Sequence, residues 1–168
     1  MQRPQRLAMS RDPIRVLFVC MGNICRSPSA EAVFRAQLRA HGLTQRCEVD
    51  SAGTHGYHVG DPPDPRSQAH ARQRGIDMSA LRARQVQSSD FAHFDLLLAM
   101  DADNLALLRQ RCPAEQPQSK LRLLTDFCQR QSAQAVPDPY YGGPEGFEQV
   151  LDIIEDACAG LRQQLFPA

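Results

Sequence analysis

The sequence predicts an α/β fold of the Rossmann or flavodoxin-like type: a single-domain three-layer sandwich with a four-stranded parallel sheet and helices on both faces. Three observations support this prediction. Short apolar runs alternate with segments of helical spacing, which is the pattern of βαβ units. Residues 15–19 (RVLFV) are apolar at almost every position, as in strands buried on both faces. A length of 168 residues with 42% hydrophobic content suits one domain with a sizeable core.

Residues 15–19 predict the first and central strand, and a helix follows it after a short loop. Ser27 is predicted to cap this helix, with Pro28 at its first position and Glu31 in its first turn. Gly42 lies just past the predicted end, where a glycine often terminates a helix.

The rest of the chain also alternates between strands and helices. In chain order, strands are predicted at residues 47–51, 94–100 and 121–124, and helices from Asp64 to near Gly75, at residues 102–111 and at residues 146–165. Because parallel sheets bind ligands at the carboxyl ends of their strands, the long segments 52–63 and 125–146 are predicted to be functional rim loops. Residues 1–13 are predicted to be a disordered extension, and residues 14–168 the folded domain.

The junction between the first strand and the first helix carries the strongest functional signal. Residues 20–27 (CMGNICRS), called here the Cys20 loop, place a thiol at the end of a strand and an arginine at the start of a helix. A loop that enters a helix turns its backbone N–H groups into one concavity, where the helix dipole favours an anion. The Cys20 loop therefore predicts a phosphate site, whose binding residues are Met21, Gly22, Asn23, Ile24, Cys25 and Ser27.

Three side chains of this loop suit phosphoryl transfer. The helix dipole and Arg26 stabilise the thiolate form of Cys20, which can then attack without a general base. Arg26 presents two donors to phosphoryl oxygens, and Ser27 can donate to the sulfur of Cys20. A cysteine six positions before an arginine is common by chance. Its placement between a buried strand and a helix makes the pattern specific.

A second candidate segment is residues 137–143 (PDPYYGG), far away in the sequence. Asp138 lies between two prolines and is predicted to be the acid that protonates a leaving phenolate; once deprotonated, it can activate a water molecule. Tyr140 and Tyr141 are predicted to form an aromatic wall that stacks on the substrate. Alone, such a segment is more typical of a surface turn, and its significance comes from the Cys20 loop.

These residues resemble the low-molecular-weight protein tyrosine phosphatases over almost the whole chain after about residue 13. The matching blocks are VLFVCMGNICRSPSAEAVF, DSAGT, DPR, RARQ, MDADNL and DPYYGG, at residues 16–34, 50–54, 64–66, 82–85, 100–105 and 138–143. The resemblance implies a phosphatase domain over residues 14–168 that hydrolyses phosphotyrosine monoesters and small aryl phosphates. It also implies that Cys20 is the nucleophile, Arg26 the phosphate clamp and Asp138 the general acid.

The resemblance further implies that the Asn23 side chain holds the loop in shape and that Asp101 belongs to the supporting hydrogen-bond network. Leu81 stands where the family often has a histidine that supports the asparagine, so we expect that support to be absent or to be replaced, for example by Ser79 or water. Tyr57 stands where many members have tryptophan in the pocket rim, and it is predicted to bind substrate.

Other substrates and functions stay open. Arginine phosphatases resemble this family but typically have threonine at the position of Ile24 and lack the second tyrosine, so Ile24 and Tyr141 favour phosphotyrosine. Thioredoxin-coupled arsenate reductases need two resolving cysteines in mid-chain, and none lies between Cys47 and Cys112. The same chemistry on another phosphoryl or arsenyl substrate is one alternative. A phosphate-binding or redox-sensing module without turnover is another, which the intact Cys20, Arg26 and Asp138 argue against.

Cys25 allows two interpretations. It can capture an oxidised Cys20 as a disulfide, which would protect the nucleophile from irreversible oxidation. Alternatively, it only fills a small apolar site within the loop.

Composition limits the possible partners and location. Zero formal net charge indicates neither a nucleic-acid-binding surface nor a polybasic membrane patch. No apolar stretch approaches the ~20 residues that span a bilayer, and residues 1–13 lack the apolar region of a signal peptide, so we expect no export signal. The six cysteines form no paired metal motif and suit a reducing compartment. We expect a cytoplasmic monomer without metal or cofactor, whose partners are phosphotyrosine-containing proteins and a cognate tyrosine kinase.

Overall fold

The computed structural model describes residues 12–140 and 142–167. Its strands are β1 (Ile14–Cys20), β2 (Cys47–Gly53), β3 (Leu96–Ala99) and β4 (Leu121–Leu123). Its helices are α1 (Arg26–Ala40), α2 (Pro65–Gln73), α3 (Ser88–His93), α4 (Ala102–Arg111) and α5 (Pro144–Leu165). Most of the predicted disordered extension, residues 1–11, and Tyr141 lie outside the described residues.

The four strands form one parallel sheet in the order β2-β1-β3-β4, which confirms the predicted fold class. β1 is central, and its side chains alternate between two apolar clusters. Val16 and Phe18 face the cluster that α1 and α5 cover, and the rings of Phe18 and Phe34 meet edge to face at 5.8 Å. Leu17 and Val19 face the cluster that α3 and α4 cover. Burial on both faces explains the continuous apolar run of β1.

The start of α1 differs from the prediction. The helix begins at Arg26 with Cys25 at its cap, so Ser27 is a residue of the first turn instead of the cap. The hydroxyl of Ser27 bonds to side chains of the Cys20 loop, which explains why it does not cap the helix. Glu31 lies beyond the first turn and is buried. The predicted stop is confirmed, because Gly42 follows the helix with a φ of 67°.

The other predicted elements are present, with small differences at their ends. Asp64 caps α2 by accepting the N–H of Arg66 at 2.8 Å, and Gly75 follows this helix with a φ of 79°. Helix α3 was not predicted: it has only six residues, and its capping box uses Gln87 and Asp90 rather than a serine or threonine.

The topology brings chain-distant residues to one edge of the sheet. The strand order reverses direction between β1 and β3, and the crevice at such a switch point is the usual ligand site of open α/β sheets. Cys20 ends β1, and Asp101 follows β3 and caps α4. The N-termini of α1 and α4 therefore start beside each other at this edge.

At Gly160, α5 packs closely against the backbone of Phe127. A Cβ atom at this position would lie 1.8 Å from the carbonyl oxygen of Phe127. We therefore expect Gly160→Ala to lower the free energy of unfolding by about 2–3 kcal/mol, although alanine is the better helix former. Urea unfolding measures this loss.

Gly146→Ala is the matched control on the same helix, because a Cβ there would lie 3.7 Å from the nearest atom, the Cβ of Pro139. It should cost no stability. An equal loss in both variants would show that the contact with Phe127 is not the cause.

Candidate active site

A cavity of about 340 Å³ opens at the edge of the sheet where β1 ends. It is lined by Cys20, Met21, Gly22, Ile24, Cys25, Arg26, Tyr57, His58, Asp138 and Tyr140. Most of the predicted site residues therefore meet at one cavity. Asn23 and Ser27 are buried and do not line it, and they support the Cys20 loop through the hydrogen bonds described below.

Cys20 lies at the floor of the cavity, and its Sγ is 3.0 Å from the hydroxyl oxygen of Ser27. Asn23 has a φ of 57°, in the left-handed region that asparagine tolerates better than most residues. Its Nδ2 donates to Ser27 Oγ at 2.8 Å and to Ser51 Oγ at 3.0 Å, and its Oδ1 accepts the backbone N–H of Arg84 at 3.0 Å. Asn23 thus connects the loop to β2 and to the segment before α3.

The expected support of Asn23 does not come from Ser79. The backbone of Arg84 and the hydroxyl of Ser51 provide it instead. Ser79 is engaged locally, since its N–H donates to Asp77 at 2.9 Å. Leu81 packs against the core, where a leucine has no polar group to offer.

The backbone of the Cys20 loop is oriented by its neighbours. The carbonyl oxygens of Cys20, Met21 and Ile24 accept N–H groups from adjacent segments at 2.8–3.0 Å. Within the described part of the chain, the N–H groups of residues 21–25 have no protein acceptor. The carbonyl oxygen of Met21 can lie this close to β2 because residue 53 is a glycine, and a Cβ there would lie 2.7 Å from that oxygen. Unused N–H groups at a helix N-terminus form an anion site.

Arg26 is only 3% exposed and is held by two hydrogen bonds and a longer ion pair. Its Nη1 donates to Asp101 Oδ2 at 2.7 Å and to the carbonyl oxygen of Val136 at 3.1 Å. Its Nη2 lies 3.7 Å from Asp138 Oδ2. Burial opposes the charge of the guanidinium, but Cys20 and Asp101 outweigh it, so the pKa of Arg26 is raised. Arg26 therefore stays a cation beside the sulfur.

Asp138 and Tyr140 form the opposite side of the cavity. Asp138 Oδ1 accepts the N–H of Tyr140 at 3.0 Å, which leaves Oδ2 turned toward Arg26. The guanidinium of Arg66 lies over the ring of Tyr140 at 5.3 Å and is bonded to Asp64. Asp64 in turn donates its N–H to the carbonyl oxygen of Ile24 at 2.8 Å. The N-terminus of α2 thus contacts both the Cys20 loop and the segment with Asp138.

Cys25 has a different environment from Cys20. Burial raises the pKa of Cys25 to about 12, and a hydrogen bond with Ser67 opposes this rise only in part. Cys25 is therefore a protonated thiol at neutral pH and fills a buried position at the start of α1. No disulfide is formed by any of the six cysteines, all of which are described, and capture of an oxidised Cys20 stays a prediction.

Tyr57 and His58 lie at the rim of the cavity, and only Tyr57 was predicted from the sequence. Tyr57 is 75% exposed and stacks on His55 at 5.2 Å between ring centres. His58 was not predicted, yet it lines the cavity, and a Cβ at Gly22 would lie 3.0 Å from its ring.

Ser51 and Arg84 were also missed as supports of Asn23. The position of Ser51 in the matched block DSAGT is the signal that could have indicated it, whereas Arg84 supports Asn23 through its backbone N–H.

The arrangement places a thiol, a fixed cation and a carboxyl group around a space of small-molecule size. Over residues 12–140 and 142–167, no three His, Cys, Asp or Glu side chains are grouped to hold a metal ion. In the same ranges, no helix has the length and apolar character needed to cross a membrane.

A family model described as low molecular weight phosphotyrosine protein phosphatase matches residues 15–166. A putative low molecular weight protein-tyrosine-phosphatase from Synechocystis sp. is 47% identical over 90% of this chain and 96% of its own length. A protein tyrosine phosphatase structure from Entamoeba histolytica is 46% identical, with a TM-score of 0.87 over 90% of this chain and 96% of that one. A Drosophila arginine phosphatase structure is 33% identical, with a TM-score of 0.85 over 91% and 98%. The chain therefore belongs to the low molecular weight phosphotyrosine protein phosphatases, a family of hydrolases.

Proposed function

We propose that this protein hydrolyses phosphotyrosine monoesters in proteins, and small aryl phosphates, through a cysteinyl-phosphate intermediate. The observation that carries the proposal is the meeting of Cys20, Arg26 and Asp138 at one cavity. A nucleophile, a clamp for phosphoryl oxygens and a proton donor are the three groups that this reaction needs. Membership of the family supports the same reaction.

In the first step, the guanidinium of Arg26 and the N–H groups of residues 21–25 bind the phosphoryl oxygens. Cys20 Sγ attacks phosphorus, so that an S–P bond forms while the P–O bond to tyrosine breaks. The leaving phenolate oxygen takes the proton of Asp138. Ser27, whose Oγ is 3.0 Å from Sγ, donates to the sulfur and favours its thiolate form.

In the second step, a water molecule attacks the cysteinyl-phosphate. Asp138, now a carboxylate, accepts a proton from this water as the new O–P bond forms and the S–P bond breaks. Inorganic phosphate leaves, Cys20 is again a thiolate and Asp138 is again an acid. Arg26 and the N-terminus of α1 supply the positive charge, so we propose that the reaction needs no metal or organic cofactor.

The cavity walls favour an aromatic ester. In the described part of the chain, the large apolar side chains that stay exposed are those of Met21, Tyr57, Val59 and Tyr140. Three of them, Met21, Tyr57 and Tyr140, line the cavity, where aromatic and thioether groups contact a phenyl ring favourably. Tyr141 is proposed to extend this wall. The proposed partners are phosphotyrosine-containing proteins and an opposing tyrosine kinase in the cytoplasm, where free cysteines stay reduced.

Phosphoarginine is the second candidate substrate, because the chain is similar to a Drosophila arginine phosphatase over 91% of its length. The proposal is tested by hydrolysis of phosphotyrosine, phosphoserine and phosphoarginine peptides of one sequence, with a chelator present. We expect the highest kcat/KM for phosphotyrosine and no effect of the chelator. A higher kcat/KM for phosphoarginine would replace the proposed substrate, and loss of activity in chelator would contradict metal independence.

The role of Asp138 predicts a dependence on the leaving group. Asp138→Asn cannot supply a proton, so we expect kcat/KM for phenyl phosphate, which reports the step that cleaves the ester, to fall by about 10²–10³-fold. The loss for p-nitrophenyl phosphate should be much smaller, about tenfold or less, because nitrophenolate leaves without protonation. Asp126→Asn, at an exposed carboxylate outside the cavity lining, is the control and should leave both rates unchanged. Equal losses on the two esters would exclude Asp138 as the acid.

A further inference from the structure

Glu31 is a buried carboxylate that the proposed reaction does not use. It lies on α1, is 3% exposed, and its two oxygens have different partners. Oε1 accepts the hydroxyl of Ser51 at 2.7 Å. Oε2 accepts Nε and Nη2 of Arg35 at 3.0 and 2.8 Å. Glu31 therefore joins a side chain at the protein surface to one that supports the Cys20 loop.

The hydrogen bonds from Glu31 to the nucleophile can run in one direction only. An ionised carboxylate has no proton to donate, so Ser51 must donate to Glu31. Ser51 then accepts from Asn23, whose other Nδ2 proton goes to Ser27.

This direction determines what Ser27 can do. Because its oxygen accepts from Asn23, its own proton can go to the sulfur of Cys20, 3.0 Å away, or to the carbonyl oxygen of Ala52, 3.4 Å away, and the sulfur is the nearer acceptor. The hydrogen bond on the other side of Asn23 is consistent with this direction, since the backbone N–H of Arg84 can only donate to Asn23 Oδ1. The charge of Glu31 thus favours the arrangement in which Ser27 donates to Cys20.

Arg35 is the cation that matches this charge. Burial raises the pKa of Glu31, and the hydrogen bonds from Ser51 and Arg35 oppose that rise. Arg35 also donates to the carbonyl oxygen of Val49, two residues before Ser51 on β2. One guanidinium therefore holds both the carboxylate and the strand that carries the serine, while its side chain remains 47% exposed outside the cavity.

We propose that Arg35 is a positioning residue of the active site, which acts through Glu31 and Ser51 to fix the direction of the hydrogen bonds of Asn23 and Ser27. The inference rests on the proposed function, in which Cys20 is the nucleophile. Arg35 is not among the residues that line the cavity and has no bond to the Cys20 loop, so its effect passes either through Glu31, as proposed, or through β2 at Val49, and the cycle below separates the two routes.

The test is a double-mutant cycle with Arg35→Gln and Glu31→Gln. Its two readouts are kcat for p-nitrophenyl phosphate and the dissociation constant for inorganic phosphate, measured by calorimetry. Arg35→Gln should lower kcat about tenfold in the natural background, roughly the effect of one charge-assisted hydrogen bond, and should also weaken phosphate binding. In the Glu31→Gln background, the same change should alter either quantity by less than about twofold, because the carboxylate it acts through is gone.

Two further variants separate positioning from a general effect of charge or stability. Arg35→Lys keeps a cation that can donate one hydrogen bond to Glu31 and should recover only part of the loss, because it cannot repeat the paired donation of Nε and Nη2. Arg39→Gln removes an exposed charge from the same helix and should change nothing. Equal losses on the two backgrounds, or a lower melting temperature with unchanged kcat and phosphate affinity, would overturn the proposal. Phosphate affinity is measured without turnover, so it tests the inference even if phosphotyrosine is not the substrate.

Discussion

Cys20→Ser should lower the hydrolysis of phosphotyrosine peptides by a factor on the order of 10⁴ or more. A serine hydroxyl at this position has no adjacent general base, and removing a covalent nucleophile has effects of this size in other hydrolases. In the wild type, acid quenching during turnover should trap a phosphoryl group on the peptide that contains Cys20, as detected by mass spectrometry. The variant should show no such adduct.

The variant should still fold and bind phosphate, because Arg26 and the backbone of the loop are unchanged. Cys128→Ser is the control: it removes a half-buried thiol outside the cavity lining and should retain full activity. Undiminished turnover in Cys20→Ser would contradict the covalent mechanism.

Arg26→Lys should lower kcat/KM by about 10³-fold despite the conserved charge. Lysine is a point charge and cannot present a planar pair of donors to two phosphoryl oxygens. It also cannot reproduce the bonds of Arg26 to both Asp101 and the carbonyl oxygen of Val136. Steady-state kinetics and calorimetry with inorganic phosphate should show loss of both turnover and binding.

Arg109→Lys, at an exposed arginine on α4, is the matched substitution and should behave like the wild type. Activity of Arg26→Lys within tenfold of the wild type would mean that charge alone suffices at this position. The clamp would then contribute no more than electrostatic attraction.

The fold was predictable because local patterns and tertiary structure agree in this chain. β1 reads as a buried strand because both of its faces are covered, and α2 has Asp64 and Gly75 at its ends. Ser27 shows where local reasoning fails. A serine before a proline is typical of a helix cap. Here the hydroxyl of Ser27 is bonded to Asn23 and Cys20 and is not used as a cap, and the helix begins at Arg26.

The contiguous parts of the site were also predictable, and the parts that depend on strand register were not. The Cys20 loop can be identified from eight consecutive residues, since its strand, loop and helix follow one another. Ser51 supports the loop because β2 pairs in parallel with β1, which places it opposite Phe18. Arg84 contributes a backbone N–H, which no side-chain pattern can indicate. His58 reaches the cavity by the path of its rim loop.

The 3.7 Å between Arg26 and Asp138 also bears on which ions the cavity admits. An anion that binds the guanidinium competes with a carboxylate of the protein itself. A small ion of single charge replaces one monoanion by another and gains little, whereas a phosphoryl dianion gains more from the same cation. In its carboxylate form, the proposed acid thus competes with monoanions for Arg26 before any chemistry, and it must be in its protonated form to act as the acid on a bound substrate.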